Sequence, residues 1–214
     1  QGEPDLAAGN LFGSNLINML LLAVIDLLNR NERLLRKAAL KHALTGSLTV
    51  FMIGLVVFFV LADIDLKIGW IGLDSLMILL VYVVCVWLIQ SNESHGGGTA
   101  AAADDIPEGM PSLLKGLLGF GLAAAALVII TPWMVGASAQ IAVITGLGTT
   151  FVGTTLVAIA TSLPELVTTV AAIRIGAADM AIGNLFGSNL FNMFALGITD
   201  FFCLLGRFRG VIDP

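Results

Sequence analysis

The residues Ala158-Ile-Ala-Thr-Ser-Leu-Pro-Glu165 bring two hydroxyls, a proline and a carboxylate together inside an otherwise apolar run. Pro164 has no N–H to give the carbonyl of Ala160, four residues back, and its ring crowds that group. A helix is therefore expected to break here and to free carbonyl oxygens near Ala158–Thr161. Such groups are tolerated at membrane depth only where they meet protein, water or an ion. Thr161 and Ser162 add hydroxyls and Glu165 a carboxylate. Oxygen donors without His or Cys suit hard cations such as Ca²⁺ and Na⁺. An acid inside a membrane-length segment is costly and by default functional. The bland alternative, a protonated or locally paired Glu165, fits poorly with a proline and two hydroxyls beside it.

A second constellation occurs twice. Gly9-Asn-Leu-Phe-Gly-Ser-Asn-Leu-Ile-Asn-Met19 returns, with one substitution, as Gly183-Asn-Leu-Phe-Gly-Ser-Asn-Leu-Phe-Asn-Met193. Over the longer windows 5–26 and 179–200 the match is 14 identities in 22 positions. Gly9 and Gly13 share a helix face and permit close helix–helix approach. Ser14 and Asn18 lie four apart on a neighbouring stripe, as do Ser188 and Asn192 in the second copy. Helix-to-helix hydrogen bonding explains one such copy about as well as an ion site does. Two copies shift the balance toward a shared site. Asn10, Asn15, Asn184 and Asn189 sit on other faces and read as structural hydrogen-bonding groups.

Membrane helices are the elements that must position these groups. The chain of 214 residues is 57% hydrophobic and 12% charged, about half the charge of a soluble domain. Six apolar spans are expected near 6–28, 43–62, 68–89, 113–131, 141–173 and 180–205. The fifth is too long for one straight crossing of a core about 30 Å thick and should be broken or kinked at Pro164. Residues 91–112, with Gly96-Gly-Gly98 and several acids, read as a polar linker. It divides the chain into domains 1–90 and 113–214. Lys and Arg counts place Arg30, Arg33, Arg36, Lys37, the linker and Arg174 in the cytoplasm; Arg207 and Arg209 conflict mildly. The two copies then run in opposite directions, an inverted repeat of the kind secondary transporters carry. The fold class is thus an all-α membrane protein, an inverted-repeat helical bundle.

Other groups carry less. Asp5, Asp26, Asp179 and Asp200 lie near span ends, and Asp74 reads as interfacial. Cys85 and Cys203 read as small buried hydrophobes. His42 and His95 have no nucleophile partner, so an enzyme is not expected. The net charge of −5 and the lack of a basic patch argue against nucleic acid.

Thr161-Ser-Leu-Pro-Glu165 followed by Gly183–Asn192 resembles a complete second α-repeat of the sodium/calcium exchanger family, within the wider cation/Ca²⁺ antiporter superfamily. Gly9–Asn18 resembles the latter half of the first. The resemblance implies ten transmembrane helices in two inverted halves, of which the six spans here would be helices three to eight. It implies that Glu165 is a Ca²⁺ ligand, joined by Thr161, Ser162, Ser188 and the Ala158 carbonyl around Ca²⁺ or Na⁺. Asn192, Asn18 and Ser14 would complete the centre. Asn192 stands where the potassium-dependent branch carries Asp, which argues against potassium dependence. A twin of Glu165 would fall ahead of Gln1, so the chain is expected to be a fragment that does not transport alone. The parent is expected to be a Ca²⁺/Na⁺ antiporter in a bilayer, a prokaryotic plasma membrane being the expected residence. It would carry Ca²⁺ and Na⁺ as cargo and no prosthetic group; the oligomeric state is open. The rivals are a Ca²⁺/H⁺ exchanger on the same fold and a non-transporting membrane scaffold.

Overall fold

The computed structural model describes residues 4–28, 42–62, 67–68, 71–95 and 113–202. Three long helices come first: α1 Pro4–Leu28, α2 Ala43–Ala62 and α3 Leu73–His95. Two two-residue strands, β1 Lys67–Ile68 and β2 Ile71–Gly72, precede α3 and pair antiparallel, with Ile68 opposite Ile71. This short ladder is a small addition to the expected all-helical plan. The second part holds α4 Leu113–Thr145, α5 Thr149–Val152, a π-helical turn Gly153–Val157, α6 Ala158–Thr161, α7 Leu163–Arg174 and α8 Ala178–Phe202. Six stretches are long and apolar enough to cross a membrane, α5 through α7 forming one of them.

Two boundaries differ from the sequence expectation. The fourth span does not stop near residue 131; α4 continues for 33 residues through Pro132. A proline removes one hydrogen bond, but an apolar segment in lipid has no water to repair a break, so the rest of the ladder holds. The interruption falls instead at Gly146, whose φ of 71° suits a residue without a β-carbon. The fifth span accordingly starts at Thr149, not 141. At about 1.5 Å per residue α4 is roughly 50 Å long, so a helix crossing a bilayer must tilt or project from it.

The fifth span is broken twice. The expected break is present: Ser162, at φ −90° and ψ 0°, separates α6 from α7, with Pro164 in the first turn of α7. The π-helical turn is the second. There the hydroxyls of Thr154 and Thr155 donate to the carbonyls of Thr150 and Phe151, both at 2.7 Å, a local back-bonding that bends helices.

Helix α8 is the centre of the bundle and packs against α1, α2, α3 and α7. Its Leu190, Met193 and Leu196 join Ala8, Met52, Val56, Phe59, Ile78 and Cys85 in the main apolar core. Cys85 is thus buried as expected; Cys203 lies outside the described residues. A second cluster, Leu6, Ala142, Val152 and Val157, ties α4 and the π turn to α1. Asp74, read as interfacial, lies in the first turn of α3. It is 2% exposed, and its Oδ1 accepts the Ser75 amide at 2.9 Å. At the first turn of α3 a carboxylate meets unpaired amides and the positive end of the helix dipole, which stabilise it away from water.

Candidate functional site

The glycines of the first repeat act as the sequence implies. A β-carbon on Gly9 would lie 2.6 Å from the Thr150 carbonyl oxygen, and one on Gly153 2.5 Å from that of Leu6. One on Gly13 would overlap the Thr154 carbonyl oxygen. Helix α1 therefore lies backbone to backbone on α5 and the π turn. Contacts advance together along both segments, from Leu6–Gly153 to Gly13–Ala158 to Ser14–Thr161, so the two run parallel.

Against α8 the order reverses. Asn18 Nδ2 donates to Asn189 Oδ1, and Asn192 Nδ2 donates to Asn15 Oδ1, each at 2.8 Å. As one number rises the other falls, so the two copies cross antiparallel, as an inverted repeat requires. His42, just before α2, lies 3.7 Å from Asp179 at the start of α8. Both ends are thereby on one side of the bundle, in agreement with the orientation expected from charge. Arg30, Arg33, Arg36 and Lys37 lie outside the described residues, as do Gly96-Gly-Gly98, Arg207 and Arg209.

The expected site residues fall into three groups. Glu165, Ser188 and Asn192 line one open cleft of about 330 Å³, with Gly183, Asn184, Gly187 and Phe191. Ser188 Oγ donates to Glu165 Oε1 at 3.3 Å. Among the described residues no basic side chain lines this cleft. Glu165 Oε2 is buried and has no hydrogen-bond partner. Ser162 and Asn18 form the second group. They are 2% and 0% exposed, and Ser162 Oγ and Asn18 Oδ1 are likewise unpartnered. Buried polar atoms are rarely left unpaired, and each exception asks for a ligand or a strain account. Three oxygens on α1, the α6–α7 break and α7 share this condition.

The third group is occupied by protein contacts. Ser14 Oγ lies 3.2 Å from Thr161 Oγ1. Thr161 Oγ1 is also 2.7 Å from Asn10 Oδ1 and 3.0 Å from the Val157 carbonyl, although a hydroxyl has only one proton to donate. Ala158 is fully buried. The carbonyl expected to be freed there is engaged, accepting from the Ser162 amide at 3.0 Å and lying 3.3 Å from Thr161 Oγ1. The reason is geometric: Pro164 lacks the proton for Ala160, not for Ala158, whose partner four residues on is Ser162.

Sequence reasoning set Asn10, Asn15 and Asn189 aside as structural. They do form hydrogen bonds, but to residues of the expected site: Asn10 to Thr161, Asn15 to Asn192 and Asn189 to Asn18. The repeat itself held the signal, since an antiparallel crossing of two identical helices sets each inner asparagine against the other copy's outer one. Among the described residues no group of three or more His, Cys, Asp or Glu could hold a metal ion. Any ion here would be met mainly by hydroxyl, amide and carbonyl oxygens around one carboxylate.

The chain matches the sodium/calcium exchanger protein family over residues 1–90 and 115–209, which takes in both repeats and the Glu165 segment. The chain belongs to the sodium/calcium exchanger family. Sodium/calcium exchanger MaX1 of Methanosarcina acetivorans is 45% identical over 89 residues, 41% of this chain and 25% of that protein. Inner membrane protein YrbG of Escherichia coli is 29% identical over 99% of this chain and 63% of its own length. Sodium/potassium/calcium exchanger 5 of Homo sapiens is 46% identical over 52 residues, 24% of this chain and 10% of that protein. The chain thus spans less than two thirds of the length of each of these relatives. No solved structure matches it. With this family, an inverted antiparallel pair and six apolar spans, the chain is a multi-pass membrane protein.

Proposed function

We propose that the protein exchanges Ca²⁺ for Na⁺ across a membrane by alternating access, with the cation held between α1, α7 and α8. The observation that carries this reading is the set of buried oxygens without partners among the described residues, Glu165 Oε2, Ser162 Oγ and Asn18 Oδ1, with Glu165 lining a cleft whose described lining holds no basic residue. Oxygen-only donors suit hard cations. Most of these donors are neutral, which favours release as well as capture, and transport needs both.

Charge separates the two cargo ions. Glu165 can balance one Na⁺ but only half the charge of one Ca²⁺, so Ca²⁺ needs further compensation at low dielectric. Ca²⁺ therefore demands more from the surrounding oxygens than Na⁺ does. The two ions compete for overlapping donors, and whichever occupies them biases the side that opens. Asn at position 192 supports exchange without potassium. Ser188 holds one carboxylate oxygen of Glu165 and leaves the other for the ion. The double break at the π turn and Ser162 supplies irregular backbone, which a membrane tolerates where protein buries it or a water-filled cavity meets it.

Radiolabelled Ca²⁺ uptake into proteoliposomes containing the full-length protein tests this. An outward Na⁺ gradient should drive uptake, and an outward proton gradient without sodium should not. Glu165→Gln should lower uptake by at least about 100-fold, the scale of about 3–5 kcal/mol expected when a buried charge loses its partner. Proton-driven uptake would assign the protein to Ca²⁺/H⁺ exchange. Unchanged Ca²⁺ binding in Glu165→Gln would leave the repeats as packing motifs only.

A further inference from the structure

The asparagine pairs between α1 and α8 have a direction. In each, the outer asparagine gives its nitrogen and the inner one its oxygen: Asn18 Nδ2 to Asn189 Oδ1, and Asn192 Nδ2 to Asn15 Oδ1. An amide whose nitrogen is taken turns its oxygen the other way. Asn18 Oδ1 is the buried acceptor without a partner, and Asn192 lines the cleft with Glu165 and Ser188. The inner residues, 4% and 0% exposed at Asn15 and Asn189, do not line that cleft.

We infer that Asn15 and Asn189 are positioning residues that fix the polarity of the ion site. They hold Asn192 and Asn18 with the amide oxygen, and not the nitrogen, toward a cation. This rests on the cation-site reading above. An inner amide turned over would present its own nitrogen to the outer residue, which would then turn its nitrogen toward the ion. A donor in that position repels a cation.

Asn15 carries the sign of such a constraint. Its Nδ2 is buried with no partner, while Asn189 Nδ2 reaches the Asn15 carbonyl at 3.4 Å. Leaving a buried donor unmade is unfavourable. The orientation that persists at Asn15 is the one that accepts from Asn192, at the expense of its own nitrogen. Because each inner residue sits on the helix opposite the one it orients, the repeat places both oxygens only when α1 and α8 are docked.

The test uses the full-length protein in proteoliposomes, with Ca²⁺ as the probe and KM and maximal rate measured separately. Asn15→Leu removes the acceptor and should raise the KM for Ca²⁺ about tenfold or more in protein of normal yield and melting temperature. Asn15→Asp keeps an acceptor for Asn192 and should stay within about threefold. Should the leucine variant fail to fold, Asn15→Ser, too short to reach Asn192, carries the same expectation. A second arm separates positioning from packing. Asn192→Asp puts two oxygens on the side chain, so it has no wrong face, and the unpaired Asn15 nitrogen is free to serve it. In that background Asn15→Leu should change KM less than twofold. Equal KM losses in both backgrounds, or an unmoved KM in Asn15→Leu, overturn the inference. Glu165→Gln, run alongside, keeps the two readings apart. If it leaves Ca²⁺ affinity unchanged the cation site itself fails. If it abolishes affinity while Asn15→Leu has no effect, only the positioning role fails.

Discussion

The two copies of the repeat are nearly identical in sequence and opposite in surroundings. On α1 the glycine face is closed: a β-carbon at Gly13 would overlap the Thr154 carbonyl oxygen and meet Ala158 Cβ at 2.6 Å. Among the described residues the equivalent face of α8 has no close neighbour. A β-carbon at Gly187 would meet nothing within 4 Å, and one at Gly183 only His42 Cε1 at 3.8 Å. The serines follow suit. Ser14 is buried and bonded to Thr161, whereas Ser188 is half-buried and faces Glu165 across the cleft. Two eleven-residue stretches that differ at one position therefore make a packing seam in one place and line an open cleft in the other, among the described residues. A motif of small and polar residues specifies what can approach it closely; it does not specify what does.

Substitutions at matched positions should widen or erase this contrast. The largest effect is expected at Gly13. Gly13→Ala forces a methyl into a backbone carbonyl that cannot rotate away, and overpacking of this kind costs about 1–3 kcal/mol, occasionally more. Thermal unfolding in detergent should show a clear loss, with α1 displaced from the π turn. An intermediate effect is expected at the serines, and of different kinds. Ser14→Ala should lower stability by about 1 kcal/mol, the net worth of one hydrogen bond, with little change in ion affinity. Ser188→Ala should leave the melting temperature nearly unchanged and shift the apparent Ca²⁺ affinity several-fold, because it frees a Glu165 oxygen. The smallest effect is expected at Gly187. In the chain as described, Gly187→Ala should alter stability by no more than about 0.5 kcal/mol, because no described atom lies within 4 Å of the added methyl. A loss at Gly187 as large as that at Gly13 would mean that the α8 face is also closed in the membrane.

The sequence made much of the site legible. Glu165, Ser188 and Asn192 were picked out by residue type and repeat position, and they do line one cleft. Ser162 and Asn18 were picked out as well and carry unpartnered oxygens. The Ala158 carbonyl keeps its hydrogen bond from the Ser162 amide, because a proline's missing proton concerns only the carbonyl four residues before it, here that of Ala160. The π turn escaped notice because nothing in Gly153–Val157 looks unusual as a helix; threonine back-bonding and close backbone contact with α1 accompany it. The end of the fourth span was placed too early for a related reason. Pro132 removes one hydrogen bond without ending the helix, because an apolar segment in lipid has no water to repair a break.

Composition and period alone determined that this chain crosses a membrane, because about 20 apolar residues in a row have no better solvent than lipid. The inverted repeat and the acid beside a proline also singled out Glu165, Ser188 and Asn192, which line one cleft, since polar groups inside a membrane segment are costly. Only the tertiary structure decided which asparagine faces which, which glycine is closed and which serine reaches Glu165. Those outcomes depend on what each helix packs against. Two stretches of one sequence present the same atoms, and the neighbours that differ between them select among the few contacts those atoms allow.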